Sequence, residues 1–214
     1  MSGVVGPRYG IVTDGLVLHL DAGNTLSYPG TGTDWFDLTS NNNDGTLING
    51  PTFDSANGGS ISFDGVDDYI DMGTINFGQI YTLNIWVKLD DLNSRVWIGG
   101  VNTSEYHMNF LNGLLYNRVN NNLFTFNTQA QVNQWYNFNL VRNNTSIDCY
   151  KNGIFIGNST NINYNTDFIL YRIGSSPSGF YGNGNMSITS FYNKPLTDSE
   201  IQQNYNATKT RFGL

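Results

Sequence analysis

Hydrophobic and polar residues alternate in short runs along the chain, and turn residues separate these runs. In Leu83–Leu89 the odd-numbered positions are all aliphatic, while Asn84, Trp86 and Lys88 stand between them. Side chains of a β-strand point alternately to its two faces, so this period of two predicts a strand with one face on a core. Tyr136–Leu140 repeats the pattern.

Two Asn-Gly pairs predict tight hairpins between such runs. Asn112-Gly113 separates residues 106–111 from 114–119, and Asn152-Gly153 separates residues 147–151 from 154–157. Both central residues of a type I′ turn need a positive φ, which Asn and Gly tolerate best. Further runs at 16–20, 60–63, 69–72, 168–173 and 186–192 bring the prediction to about a dozen strands, enough for two packed sheets.

One helix is predicted near the C-terminus. Thr197 is followed three residues later by Glu200, the spacing of a capping box, and Leu196 and Ile201 occupy the hydrophobic staple positions. The fold class is therefore all-β, two antiparallel sheets packed as a sandwich with one short C-terminal helix. We divide the chain into an N-terminal arm (1–13), one domain (14–207) and a C-terminal tail (208–214).

Charge narrows the range of partners. Only 13% of the residues are charged, the formal net charge is −7, and the ten Lys and Arg residues form no cluster. Nucleic acids and anionic membranes both require a basic surface, so we expect neither as a partner. Residues 1–8 contain no apolar run of signal-peptide length, and we expect synthesis in a cytosol.

Several segments, in order, resemble the laminin-G-like (LamG) jelly rolls of the concanavalin A-like superfamily. They are Ile61–Ile70, Tyr81–Val87, Trp135–Arg142 with Cys149–Gly153, and Arg172–Gly174 through Phe191–Ile201. The opening, Gly15–Asn24, and the ending, Asn204–Gly213, are similar to domains of tailed-phage virion proteins. The resemblance covers nearly the whole chain and implies a two-sheet antiparallel jelly-roll sandwich.

The resemblance also implies a function. We expect a non-enzymatic structural protein of a phage virion, either a capsid decoration protein or a tail-associated subunit. Its partners would be other virion proteins, in an oligomer or lattice contacted through residues 1–13 or 208–214. The alternative is a lectin-like module that binds a cell-surface glycan, and the two functions are compatible.

Catalysis is not expected. Some concanavalin A-like relatives are glucanases, and retaining glycosidases need two carboxyl groups about 5 Å apart, one with a raised pKa. Glu105 and Glu200 are the only glutamates, Glu200 is assigned to the helix cap, and no predicted strand carries spaced acids on one face. His19 and His107 are the only histidines and do not have the spacing of a metal-ligand pair.

Sugar binding requires exposed aromatic rings for stacking and polar side chains for the hydroxyl groups. Trp86 is the first candidate because its neighbours in phase are Asn84 and Lys88. Trp97, Tyr106 and Tyr181 are further candidates. The alternative for each of these aromatics is a place in the core or in a contact between subunits.

Calcium is the candidate cofactor, because it takes six to eight oxygen ligands. Asp64, Asp67 and Asp68 lie close together in sequence, and the resemblance places Asp21 and Asn24 in a turn near the edge of the sandwich. Many relatives have an Asp in the last long strand where this chain has a serine, which weakens the comparison. The alternative is that these carboxylates cap their own turns.

Overall fold

Two antiparallel β-sheets pack face to face in a computed structural model, which describes residues 10–93, 95–101, 106–119, 122–160 and 166–214. The strands of this described part are β1 Leu16–Asp21, β2 Asp34–Trp35, β3 Gly45–Ile48, β4 Thr52–Asp54, β5 Ser60–Asp64, β6 Tyr69–Gly78, β7 Ile80–Leu89, β8 Arg95–Gly100, β9 Tyr106–Leu111, β10 Leu114–Val119, β11 Asn122–Asn127, β12 Trp135–Asn143, β13 Ser146–Lys151, β14 Ile154–Thr160, β15 Phe168–Ile173 and β16 Asn183–Tyr192. One α-helix, α1, spans Asp198–Thr208, and short 3₁₀ helices lie at Ala56–Gly58 and Lys209–Phe212. The all-β class with one C-terminal helix is confirmed.

The chain crosses repeatedly between the sheets, as in a jelly roll. Sheet A has the order β14-β13-β12-β7-β16-β5-β4, and β1 also pairs with β16. Sheet B has the order β11-β10-β9-β8-β15-β6-β3-β2. The long strand β16 pairs with β5 along its first half and with β1 along its second half, which closes sheet A across distant parts of the sequence.

The core lies between the facing sides of the two sheets. Leu83, Ile85, Val87 and Leu89 of β7 have no exposed surface, and they pack with aliphatic and aromatic side chains from both sheets. The inward face predicted from the period of two is therefore confirmed. Full burial of one such side chain stabilises the fold by about 1.5–3 kcal/mol.

Both predicted Asn-Gly hairpins are present. Asn112-Gly113 joins β9 to β10, and Asn152-Gly153 joins β13 to β14. The φ angle is 52° at each asparagine and 76° at each glycine, so both positions lie in the left-handed region that this turn requires.

Helix α1 begins with the predicted capping box. The Thr197 hydroxyl accepts a hydrogen bond from the Glu200 amide, and the Glu200 carboxylate accepts one from the Thr197 amide. Leu196 and Ile201, the staple residues, are buried with Tyr192 of β16 and fix the helix on sheet A. Within the described ranges, no helix has the length and apolar character needed to cross a membrane.

Both ends of the described chain are packed on the domain. The Val12 amide donates to Asn204 Oδ1 at 2.8 Å, and the Tyr192 hydroxyl donates to the Val12 carbonyl oxygen at 3.1 Å. Residues 1–9 of the predicted arm lie outside the described residues. Residues 208–214, set apart as a tail in the sequence prediction, continue from α1 into the 3₁₀ helix, where Phe212 is buried.

Candidate functional site

The outer face of sheet A is covered by the C-terminal segment, defined as residues 196–212. Phe212 stacks on Trp86 with ring centroids 4.0 Å apart, and Tyr205 stacks on Trp86 at 5.9 Å. The Trp86 indole nitrogen donates to Thr208 Oγ1 at 2.9 Å. Trp86 has no exposed surface, so the expectation that its ring is available for sugar stacking is wrong.

Asn84 is also enclosed, in a ladder of buried amides. Asn137 Nδ2 donates to Asn84 Oδ1 at 2.8 Å, and Asn139 Nδ2 donates to Asn137 Oδ1 at 2.9 Å. Only 5% of Asn84 is exposed. Buried polar groups need such partners because unpaired groups cost free energy. Asn84 is therefore a structural residue of sheet A, and the expectation that it contacts a sugar is wrong.

A single guanidinium group fastens the C-terminal segment to the sandwich. Arg211 donates to Asp21 Oδ1 at 2.5 Å, to the Gly59 carbonyl and Ser187 Oγ at 2.6 Å, and to the Asn57 carbonyl at 2.8 Å. An organic cation thus lies among a carboxylate, a hydroxyl and two carbonyl oxygens. Ser187, in β16, therefore supplies one of the four acceptors of these hydrogen bonds.

Asp21 and Asn24 do not join the other predicted calcium ligands. Asp21 pairs with Ile188 of β16, whereas Asp64 pairs with Asn183, five residues away on the same strand. At about 3.3 Å per residue the two positions are roughly 16 Å apart. Asn24 accepts a hydrogen bond within its own turn. The prediction of a calcium site that includes both residues is corrected, because Arg211 is the cation that binds Asp21.

The other three acids do converge, in the turn between β5 and β6. Ligand oxygens of Asp64, Asp67 and Asp68 lie within 4.8 Å of one another and could hold a metal ion. Asp68 is buried and accepts from the Asp64 amide at 3.0 Å, and Asp64 accepts from the Val66 amide at 2.8 Å. Burial raises the pKa of Asp68, the hydrogen bond from the Asp64 amide opposes this, and the two neighbouring carboxylates add to the rise.

The outer face of sheet B carries a different set of side chains. Cross-strand pairing aligns Arg118, Tyr106, Gly99, Arg172 and Asp71 in one row across five neighbouring strands. Each of these positions is next to a buried residue of its strand, so the side chains of the row point away from the core. We define the tyrosine face as the outward side chains of Tyr69, Asp71, Tyr106, Asn109, Tyr116, Arg118, Tyr171 and Arg172. Each of its four tyrosines is partly exposed.

The loop between β15 and β16 stands beside the middle of this row. A β-carbon on Gly99 would collide with the carbonyl oxygen of Ser175, which shows how closely the loop approaches the sheet. Ser175 pairs with Tyr181 in an isolated bridge, and Phe180 next to it is 45% exposed. Tyr106 and Tyr181, two of the predicted sugar-binding residues, are therefore brought to the same region.

Trp97 is not part of an exposed surface. It has no exposed area and packs edge-on against Phe63, with ring centroids 5.6 Å apart and planes at 85°. The expectation that Trp97 stacks on a sugar is wrong because its ring belongs to the core between the sheets.

Arg172 and the tyrosines around it were not predicted from the sequence. The Arg172 guanidinium carbon lies 4.0 Å from the ring centroid of Tyr69 and 5.0 Å from that of Tyr171. Tyr171 and Arg172 stand between the buried Leu170 and Ile173, a local signal that two residues leave the core face together at a bulge. Tyr69 lies beside Arg172 because β6 pairs with β15. No local sequence pattern predicts this pairing.

A cleft away from the tyrosine face is lined mainly by asparagines. This cleft of about 390 Å³ is bordered by Val17, Asn41, Asn43, Ile75, Asn76, Phe77 and Asn193. Asn41 and Asn43 both donate from Nδ2 to the Val17 carbonyl, and Asn76 Nδ2 donates to Asp167. These side-chain amides already donate hydrogen bonds within the protein. The cleft therefore offers fewer free donors to a ligand than its four asparagines suggest.

Glu200 does not have the properties of a catalytic acid. Hydrogen bonds from Lys194 and from the Thr197 amide, the largest influences, lower its pKa, whereas a glycosidase acid needs a raised pKa. Glu105, the other glutamate, lies outside the described residues.

Comparison with known proteins supports the architecture. The family model of the concanavalin A-like lectin/glucanases superfamily matches residues 63–202. No curated protein shows significant sequence similarity to the chain.

Several solved structures are similar over most of the chain. Domain 4 of AbnA, an extracellular GH43 arabinanase from Geobacillus stearothermophilus, has a TM-score of 0.70 and 17% identity, with 89% of this chain and 98% of that chain covered. Trypanosoma rangeli sialidase gives 0.69 and 16%, with 94% of this chain and 34% of that chain covered. The receptor-binding domain of a botulinum neurotoxin C/D mosaic serotype gives 0.65 and 15%, with 91% and 51% covered. The chain therefore spans about a third of the sialidase and half of the neurotoxin domain, and at these identities the likeness shows the fold alone.

Proposed function

The chain belongs to the concanavalin A-like lectin/glucanases superfamily, and from this premise we propose that it is a glycan-binding domain that holds an oligosaccharide on the tyrosine face. One observation carries the proposal. The outer faces of the two sheets differ, because the C-terminal segment buries Trp86 on sheet A while the four tyrosines of the tyrosine face on sheet B stay partly exposed.

The chemistry of the tyrosine face suits a carbohydrate. Tyrosine rings offer apolar faces for stacking on pyranose or furanose rings, and their hydroxyl groups bond to sugar hydroxyls. Strands lie about 4.8 Å apart, so a row across five strands spans roughly 19 Å. That length fits an oligosaccharide better than a single sugar.

One similar solved structure supports a glycan as the ligand. Domain 4 of the arabinanase, which matches this chain over almost its full length, was solved in complex with arabinotriose. A domain of this size and fold can therefore hold a short oligosaccharide. We propose the same class of ligand for this chain.

We propose further that the domain does not hydrolyse its ligand. The lowered pKa of Glu200 and its part in the helix cap support this proposal. A turnover assay on a panel of glycans tests it, and product formation that disappears in Glu105→Gln would contradict it.

Replacement of one tyrosine tests the binding face. In Tyr106→Ala the loss of one stacking ring should weaken binding by about 1–2 kcal/mol, or roughly 5- to 30-fold, measured by calorimetry with a glycan found on an array. Phe155→Ala is the matched control, since Phe155 is an aromatic side chain, 48% exposed, on β14 of sheet A. Equal affinities for both variants, or no glycan binding by the parent protein, would refute the proposal.

We propose Ca²⁺ as the ion if the triad of Asp64, Asp67 and Asp68 is occupied, because it accepts carboxylate oxygens together with water. A bound ion stabilises the folded state, so millimolar Ca²⁺ should raise the Tm and a chelator should reverse the change. Asp67→Asn should abolish the response, whereas Asp34→Asn, on β2, should keep it. A Tm unaffected by Ca²⁺ contradicts this proposal.

A phage virion is the location that we propose from the resemblance of the two chain ends. It would place the glycan-binding face on a capsid or tail, in contact with other virion proteins. Phe212 and Arg211 point into their own domain, so residues 208–214 offer less surface for such a contact than the sequence suggested. Mass spectrometry of purified particles tests the proposal, which fails if the protein is absent from them.

A further inference from the structure

One arginine of the tyrosine face is held in place by aromatic rings. The Arg172 guanidinium carbon lies 4.0 Å from the centroid of the Tyr69 ring and 5.0 Å from that of the Tyr171 ring. Contacts of this kind orient the flat guanidinium group, because the aromatic rings stack on its two planar faces. Its N–H donors, which lie in the plane of the group, are left for other acceptors.

Those donors have no partner among the described residues. Arg172 Nε is buried without a hydrogen bond, and no described carboxylate lies within ion-pair distance of the guanidinium. Asp71, its cross-strand neighbour, accepts instead from the Gly73 amide at 2.8 Å. A buried donor without an acceptor is costly, and an incoming ligand oxygen can remove that cost.

Two other cations of this acidic chain form ion pairs with carboxylates among the described residues. Arg211 binds Asp21, and Lys194 binds Asp14 and Glu200. With a formal net charge of −7 the chain has a surplus of carboxylates. An arginine that is stacked on tyrosines but pairs with none of these carboxylates therefore indicates an acceptor that comes from outside the chain.

We propose that the tyrosine face selects acidic glycans, and that Arg172 binds the anionic group of one sugar while the tyrosines stack on the chain of rings. The inference rests on the proposed function and specifies its ligand. A guanidinium group donates two parallel hydrogen bonds to a carboxylate or a sulfate, and these charge-assisted bonds are shorter and stronger than neutral ones. Arg118, in the same cross-strand row, adds positive charge to this face.

Three polymers and three variants test the inference. Polygalacturonate presents carboxylates, dextran sulfate presents sulfate esters, and dextran is neutral. In affinity electrophoresis and calorimetry, at least one of the two acidic polymers should bind about tenfold or more tightly than dextran, and Arg172→Gln should lose about tenfold in affinity for it. Arg172→Lys should lose most of this affinity because an ammonium group lacks the planar pair of donors.

The matched control is Lys209→Gln, which removes one positive charge from the C-terminal segment on sheet A. Its affinity should stay within about twofold of the parent value, and the Tm of each variant shows whether it is folded. The net negative charge repels polyanions in general, so a bound acidic polymer indicates a local site. The polymer that responds to Arg172→Gln also distinguishes a carboxylate from a sulfate.

Each result is decisive. Equal binding of dextran and the acidic polymers, or an acidic preference that survives in Arg172→Gln, overturns the inference while the proposed glycan binding stands. No binding of either acidic polymer also overturns it. If neutral glycans fail to bind as well, the proposed function is lost together with the inference.

Discussion

At the scale of single residues, the most unusual environment is that of His107. It has no exposed surface, its Nδ1 accepts from Asn117 Nδ2 at 2.9 Å, and its ring packs on Phe168 with centroids 4.0 Å apart. Nε2 is buried without a partner among the described residues. Burial lowers the pKa of His107 to about 3, and the positive charge of Arg142 contributes to the shift.

The stability of the protein should therefore fall when the pH drops below 6.5. In that range the unfolded chain binds a proton at this histidine, whereas the folded chain does not until the pH approaches 3. Acid thus favours the unfolded state, by at most about 1.4 kcal/mol per pH unit for one such group. Urea unfolding between pH 7 and pH 5 measures this slope.

His107→Gln should reduce the slope, because glutamine does not titrate. Part of the slope should persist, since burial also lowers the pKa of His19, although the carboxylates of Asp21 and Asp37 oppose the shift. An unchanged slope in His107→Gln would show that the imidazole is protonated in the folded protein and would contradict its buried, neutral state.

At the scale of elements, the C-terminal segment determines which surface is available. Phe212 packs this segment on sheet A, and Arg211 donates hydrogen bonds to four acceptors elsewhere in the domain. Because these acceptors come from β1, β16 and the turn around the 3₁₀ helix Ala56–Gly58, the segment also joins parts of the chain that are far apart in sequence.

Arg211→Ala should destabilise the protein by about 2 kcal/mol, because it removes charge-assisted bonds and leaves Asp21 without its cation. Arg211 and Asp21 are partly exposed, which keeps the loss below that of a fully buried pair. Chemical denaturation measures the change, with Lys209→Ala in the same segment as the control. A loss no larger than in the control would mean that the segment is held by Phe212 and α1 alone.

Local patterns predicted most elements because their causes are local. The period of two in Leu83–Leu89, the Asn-Gly hairpins and the capping box at Thr197 each depend on residues a few positions apart. The burial of Trp86 could not be predicted in the same way. Its strand pattern showed a second face, but the segment that covers this face lies more than a hundred residues later in the chain.

At the scale of the whole molecule, the jelly roll assembles the candidate site from separate strands. Tyr69, Tyr106 and Arg172 come from β6, β9 and β15 and meet only through the strand order of sheet B. The sequence offered Tyr106 and Tyr181 as candidates, and the structure places them in one region. Arg172 could not be predicted from the sequence, because its contact with Tyr69 exists only when β6 pairs with β15.

The central claim is that the exposed outer face of sheet B, and not sheet A or the asparagine-lined cleft, binds the glycan. An NMR titration of the labelled protein with a bound glycan tests this most directly. We expect the largest amide shift changes at Tyr106, Tyr116 and Arg172, with little change at Trp86 or at Asn41 and Asn43. Changes concentrated at the cleft or on sheet A, with the tyrosine face unaffected, would contradict the account.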